Sequence, residues 1–259
     1  MVNRIDHLFR ENKGEILSVY MTAGFPGLED TPAMVQSLQD HGADLVEIGI
    51  PFSDPLADGP VIQRSSQAAL RNGITLKLIF EQLSGIREKV SIPLILMGYL
   101  NPILRFGMDR FLNSCRDTGI DGVIIPDLPL EEYETLYRKH FTAHGVHHAL
   151  LITPQTSPER IHRIAHLSDG FIYMVADAST TGAKDSIRKA QIDYFQRIRN
   201  MDLPKPTLIG FGISSHQTFM TACRFARGAI IGSAFIRMLE EEGFSDMKVG
   251  DFIRSIRKG

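Results

Sequence analysis

The sequence predicts an α/β fold, one (β/α)8 barrel across residues 1–259 with an extra N-terminal helix and an insertion after the second strand. Three observations lead there. Eight short runs rich in Val, Ile and Leu lack clean polar alternation, as expected when helices cover both faces of parallel strands. Segments with helical spacing of apolar residues lie between them. The 259 residues show no linker or break in composition, and that length suits one such barrel. An open, doubly wound sheet would give a similar alternation and is the competing architecture.

The eight runs are Ile16–Thr22, Asp44–Ile50, Pro93–Tyr99, Gly122–Pro126, Val146–Thr153, Gly170–Ala176, Thr207–Phe211 and Gly228–Ile231. Between them, Thr31–His41 carries Met34, Val35 and Leu38 on one face. Asp109–Thr118 carries Phe111, Leu112 and Cys115, and Glu132–Ala143 carries Tyr133, Leu136, Tyr137 and Phe141. The long step from the second run to the third, Asp44 to Pro93, requires the insertion. Met1–Glu15 is amphipathic and charged, without the apolar centre of a signal peptide.

Composition narrows the functional classes. Apolar residues make up 43% and charged residues 22%, ordinary for a globular protein. The formal net charge of −2, with no basic run, argues against nucleic acid as a partner. No apolar stretch is long enough to span a membrane, and Cys115 and Cys223 are too few for a disulfide framework or a zinc site. A cytoplasmic setting is the expectation.

Barrel logic places chemistry at the C-terminal ends of the strands and in the loops that follow. There the run Glu47-Ile48-Gly49-Ile50-Pro51-Phe52-Ser53-Asp54-Pro55-Leu56-Ala57-Asp58-Gly59-Pro60 stands out. Glu47 interrupts an apolar strand, where burial raises a carboxyl pKa and suits it to proton transfer. The plainer reading pairs it with a buried cation, yet none of the eight runs supplies a Lys or Arg. Asp54 and Asp58 follow in a loop stiffened by Pro51, Pro55 and Pro60. By spacing alone, either acid is more often a solvated cap than a catalyst.

Two further constellations bear on the chemistry. A Schiff-base aldolase would need a Lys at a strand end, and the runs contain none. His140, His144, His147 and His148 cluster, but before and at the start of the fifth run, on the face that serves stability; packing or surface roles are expected and no metal site. For an anion, Gly210-Phe211-Gly212 after the seventh run and Gly232-Ser233 after the eighth resemble the phosphate cradle shared by many barrels.

The run Glu47–Gly59 resembles the signature of the tryptophan synthase α subunit family at every characteristic position. The resemblance continues in family order through Asn101-Pro102, Asp127-Leu128-Pro129, Gly210-Phe211-Gly212-Ile213-Ser214 and Gly232-Ser233-Ala234. It implies a TIM barrel and a lyase that splits indole-3-glycerol phosphate into indole and glyceraldehyde 3-phosphate. It further implies that Glu47 transfers protons and Asp58 binds the indole nitrogen. Tyr20, Tyr173, Thr181 and Phe211 are expected to line the substrate pocket, and Gly182, Gly212, Gly232 and Ser233 to hold the phosphate. The family works as an αββα heterotetramer; pyridoxal phosphate is expected only in the β partner, with no cofactor in this chain. Tyr20 stands where the family often has Phe. The loop Ala176–Ser186 departs further: Thr181 and Gly182 keep the pattern, while Asp177 stands where Arg is usual. Thr181 is the expected latch between this loop and Asp58. A chain kept only to activate its partner, or another phosphate-binding barrel such as indole-glycerol-phosphate synthase, fits the retained acids and the Glu47–Gly59 signature less well.

Overall fold

A computed structural model of the chain describes residues 3–12, 14–55, 58–176, 187–210 and 212–259. Nine strands form among them: β1 (Ile16–Thr22), β2 (Leu45–Gly49), β3 (Leu94–Met97), β4 (Gly122–Ile124), β5 (His147–His148), β6 (Leu150–Ile152), β7 (Ile172–Val175), β8 (Thr207–Gly210) and β9 (Gly228–Ile231). All paired neighbours are parallel, in the order β5-β4-β3-β2-β1-β9-β8-β7-β6. The two ends of that order, β5 and β6, are consecutive pieces of the predicted fifth run, interrupted at Ala149. The Ala149 N–H still donates to the Val123 carbonyl at 3.2 Å, so the ladder with β4 continues through the break. The sheet therefore closes on itself as an eight-position barrel, and the open-sheet alternative is ruled out.

The predicted insertion is present. Between β2 and β3 lie the helices Pro60–Arg71 and Leu76–Gln82 and a 3-10 turn at Ile86–Glu88. One predicted helix differs: Glu132–Ala143 appears as Leu130–Glu132, a π-helical turn at Tyr133–Tyr137 and the helix Arg138–His144. A π turn shifts the side-chain phase, which an apolar pattern with a period near 3.6 does not reveal.

Two apolar cores follow from the closed sheet. Residues pointing outward from the strands pack under the helices, while a separate cluster fills the lumen with Ile16, Leu45, Ile95, Ile124, Ala149, Phe171, Tyr173, Leu208 and Ile230. The N-terminal helix Arg4–Glu11, capped by the Asn3 side chain, closes the lumen floor with Ile5 and Phe9. Ile5 lies so close to Gly122 and Gly170 that a Cβ on either would stand 2.8 or 2.5 Å from it. Asp121, 4% exposed, accepts from the Leu94 N–H and pairs with Arg4 and Arg87, which fastens the same floor. Chemistry is thereby left to the opposite, C-terminal end.

The four clustered histidines behave as packing and surface groups. His140 pairs with Asp109 and His147 with Asp6, both at 2.8 Å, and His144 bonds the His140 carbonyl. His148 is fully buried between the Tyr133 and Phe141 rings, with centroids at 4.4 and 5.1 Å, and neither ring nitrogen has a hydrogen-bond partner among the described residues. Desolvation pushes its pKa down from 6.5 to about 3. As pH falls below 6.5 the unfolded chain takes up a proton that the folded chain refuses, so stability is full above that pH and is lost progressively toward pH 3. At pH 5 the loss is about 2 kcal/mol. His148→Leu should flatten the drop in unfolding free energy between pH 7.5 and pH 5 by that amount; parallel pH profiles for the two proteins would show that His148 is protonated in place.

Candidate active site

The polar residues of β1 alternate, Ser18, Tyr20, Thr22, so one face of an otherwise apolar strand carries three hydroxyls. In the parallel register Tyr20 lies opposite Glu47 and Ser18 opposite Leu45. Leu45 belongs to the lumen cluster, so its pleat partner two residues on, Glu47, faces the lumen as well. Glu47 is 0% exposed. Its Oε1 accepts from the Ser18 hydroxyl at 2.8 Å, while Oε2 has no hydrogen-bond partner among the described residues. Desolvation raises its pKa from 4.5 to about 8, against a smaller lowering by the Ser18 hydrogen bond. No ion pair to Glu47 is found among the described residues, so the buried-cation reading falls away. At neutral pH Glu47 is a protonated acid held inside the barrel.

Asp58 sits above it on the loop between β2 and the helix Pro60–Arg71. The two loop acids separate here: Asp54 is exposed and bonded to Ser53, whereas Asp58 is partly buried. Gln63, in the first turn of the following helix, fixes the loop by donating to the Asp58 carbonyl at 2.8 Å. Desolvation raises the Asp58 pKa from 3.8 to about 6, opposed by a hydrogen bond from Tyr99. Burial raises the pKa of Tyr20 and of Tyr173, and both hydroxyls also feel the charges of Asp58 and Glu47. Tyr20 lies level with Glu47 across the strand pair and Tyr173 belongs to the lumen cluster, so both rings share the barrel interior with Glu47.

Two glycines exist to admit those rings. A Cβ on Gly49 would lie 2.0 Å from the Tyr20 hydroxyl oxygen, and one on Gly210 would lie 2.2 Å from that of Tyr173. Gly49 of the acidic signature and Gly210 of the later glycine motif therefore act here by leaving room for aromatic side chains.

Of the residues expected to hold the phosphate, Gly212, Gly232 and Ser233 are described. Gly232 is the N-cap and Ser233 the first residue of the helix Ser233–Glu242, beside Tyr20, whose Cβ would stand 3.3 Å from a Cβ on Gly232. Gly212 has φ +78°, a conformation that favours glycine, and faces Gln191, which also bonds the Ala176 carbonyl. Gly182, Thr181 and Phe211 lie outside the described residues, as does the loop 177–186. Asp127 accepts from the Leu100 N–H at 2.9 Å and so anchors the helix Leu100–Phe106, a structural duty for one of the family motifs.

Sequence reasoning missed Tyr99, Ser18 and Gln63. Tyr99 ends the third predicted run, the position where barrels place active groups, and it packs against Phe52 with ring centroids at 5.2 Å. Ser18 was signalled by the alternation in β1. Gln63 had no signal, since its bond goes to a backbone carbonyl.

Among the described residues, no group of three or more His, Cys, Asp or Glu could hold a metal ion, and no helix is long and apolar enough to cross a membrane. Both cysteines are free.

Comparison with known proteins agrees with this geometry. The family model described as tryptophan synthase alpha chain matches residues 7–253. The tryptophan synthase alpha chain of Flavobacterium psychrophilum is 53% identical over 246 residues, 95% of this chain and 97% of that protein. That of Christiangramia forsetii is 50% identical over 256 residues, 99% of each. Among solved structures, tryptophan synthase subunit alpha from Legionella pneumophila superposes with TM-score 0.89 at 33% identity, covering 100% of this chain and 98% of that one. The chain belongs to the tryptophan synthase alpha chain family.

Proposed function

We propose that this chain performs the alpha reaction of tryptophan biosynthesis, the retro-aldol cleavage of indole-3-glycerol phosphate, with Glu47 as the proton-transfer group and Asp58 as the charge stabiliser. The observation that carries the assignment is the Glu47 carboxyl: buried inside the barrel, neutral at pH 7, with one oxygen unpartnered among the described residues. Carbon–carbon cleavage needs the indole ring as an electron sink, which protonation at ring carbon 3 provides. Glu47 gives that proton, and Asp58, ionised above about pH 6, stabilises the cation that spreads to the ring nitrogen. The hydroxyl on the adjacent chain carbon then loses its proton to the Glu47 carboxylate. The electron pair of the carbon–carbon bond returns to the ring, and indole and glyceraldehyde 3-phosphate separate with Glu47 restored. The steps need only protons, so no cofactor is assigned to this chain.

Gly212, Gly232 and Ser233 are assigned to the phosphate, supported by the helix start at Ser233 and the positive φ of Gly212. Tyr20 and Tyr173 are assigned to the indole side, because Tyr20 lies level with Glu47 across the strand pair and Tyr173 belongs to the lumen cluster. The partner is a β subunit that uses pyridoxal phosphate and receives the indole, in an αββα assembly, as family membership supports. A cytoplasmic setting fits the two free cysteines. The decisive assay is indole release from indole-3-glycerol phosphate by the purified chain, with and without a β subunit. Release by the chain alone, increased by the partner, is expected. Stimulation of the partner without any indole release from this chain would reduce it to an activating subunit.

A further inference from the structure

The Glu47 carboxyl has two oxygens in different circumstances, and the proton-transfer reading does not say which one reacts. Oε1 accepts from the Ser18 hydroxyl at 2.8 Å; Oε2 is buried with no partner among the described residues. Both residues are 0% exposed, so no bulk water competes for that bond. The two positions are fixed by backbone rather than by loops. Ser18 and Glu47 lie on adjacent paired strands, with Ser18 level with Leu45 one pleat below Glu47. A carboxyl group on an unbranched side chain would otherwise rotate freely about its last bond.

We propose that Ser18 is a positioning residue for the reaction: its hydroxyl holds Oε1 of Glu47 and so makes Oε2 the oxygen that exchanges the proton with substrate. The inference rests on the reading of Glu47 as the proton-transfer group. In the neutral acid, an Oε1 that accepts from Ser18 is the carbonyl oxygen, and the acidic hydrogen sits on Oε2. The Oε2–H bond breaks as the bond to ring carbon 3 forms. In the second transfer the chain hydroxyl's O–H bond breaks and its proton returns to Oε2. Through both steps Ser18 keeps its own hydrogen, donates to the carboxylate more strongly than to the acid, and limits how high burial drives the pKa of Glu47.

The test compares wild type, Ser18→Ala, Ser18→Thr and Glu47→Gln through pH profiles of indole release and the infrared carboxyl band of the free chain. Ser18→Ala should lower kcat about tenfold and move the basic limb of the kcat/KM profile up by about one pH unit, the worth of one hydrogen bond to a charged group. Its neutral-acid carbonyl band, assigned by its disappearance in Glu47→Gln, should shift to higher frequency as Oε1 loses its donor. Ser18→Thr, which keeps the hydroxyl, should restore both limb and band. An unmoved limb and band in Ser18→Ala, with Glu47→Gln inactive, would reduce Ser18 to packing. A basic limb that moves down would mean the hydroxyl accepts from the acid, reversing the two oxygens and overturning the proposal. Near-normal turnover in Glu47→Gln would instead remove the underlying reading of Glu47.

Discussion

Glu47→Gln is expected to leave the barrel folded and to lower indole release by about 10²–10⁴-fold, the usual contribution of a positioned general acid–base group. The amide matches the carboxyl in shape but has no proton to give to the ring and no basic oxygen to take one back. In the wild-type chain, kcat/KM should be bell-shaped. Glu47 acts in its protonated form, so activity falls as pH rises through about 8. Asp58 acts as the anion, so activity falls as pH drops through about 6. A variant that turns over at near wild-type rates would make Glu47 a structural acid and end the mechanism.

The same substitution carries an opposite effect on stability, which separates catalytic loss from unfolding. The folded pKa of Glu47 is raised above its unfolded value of 4.5, so its contribution is fully present below pH 4.5 and is lost as pH rises through about 8. At pH 7 burial of this acid therefore costs about 3 kcal/mol relative to a group that does not ionise. The Tm of Glu47→Gln relative to wild type should rise progressively as pH goes from 4.5 toward 8. The buried amide hydrogens add an offset that is the same at every pH and leaves this trend unchanged. Thermal melts at pH 5 and pH 8 read the sign directly. Activity here is retained at a cost in stability, the pattern expected where a catalytic group is held against its solvation preference.

Much of this site was legible because its signals are local. Glu47 announces itself as the lone charge in an apolar strand, and the eight Val, Ile and Leu runs give the strand order a barrel needs. Other features depend on distances across the lumen. Gly210 reads as part of a phosphate motif and Gly49 only as a member of the acidic run, and only the approach of the Tyr20 and Tyr173 rings shows that they make room for side chains. Asp54 and Asp58 are equivalent in the sequence, four residues apart in a proline-rich loop; the inward turn of one and the exposure of the other are tertiary facts. The break at Ala149 was invisible because Val146–Thr153 is continuously suited to a strand, and the interruption arises where the ladder passes from β4 to β7.

Asp58→Asn is the second large effect, a fall in turnover of about 10²–10³-fold, comparable to removing one preorganised group from a developing charge. The ground-state indole ring is neutral and the ring protonated at carbon 3 is a cation, so the carboxylate's charge matters chiefly in the transition state. Substrate affinity should therefore change much less than kcat, and single-turnover kinetics separate the two. Asp58→Asn should also remove the acidic limb near pH 6, since no group remains there to ionise. Tyr99→Phe supplies the graded version. The Tyr99 hydrogen bond opposes the rise caused by burial, so its loss should move the Asp58 pKa above about 6 and bring the acidic limb toward neutrality. Activity of Tyr99→Phe should then fall more steeply at pH 6 than at pH 8. If Asp58→Asn instead loses affinity with kcat unchanged, Asp58 only seats the ring, and the cation is stabilised by another group.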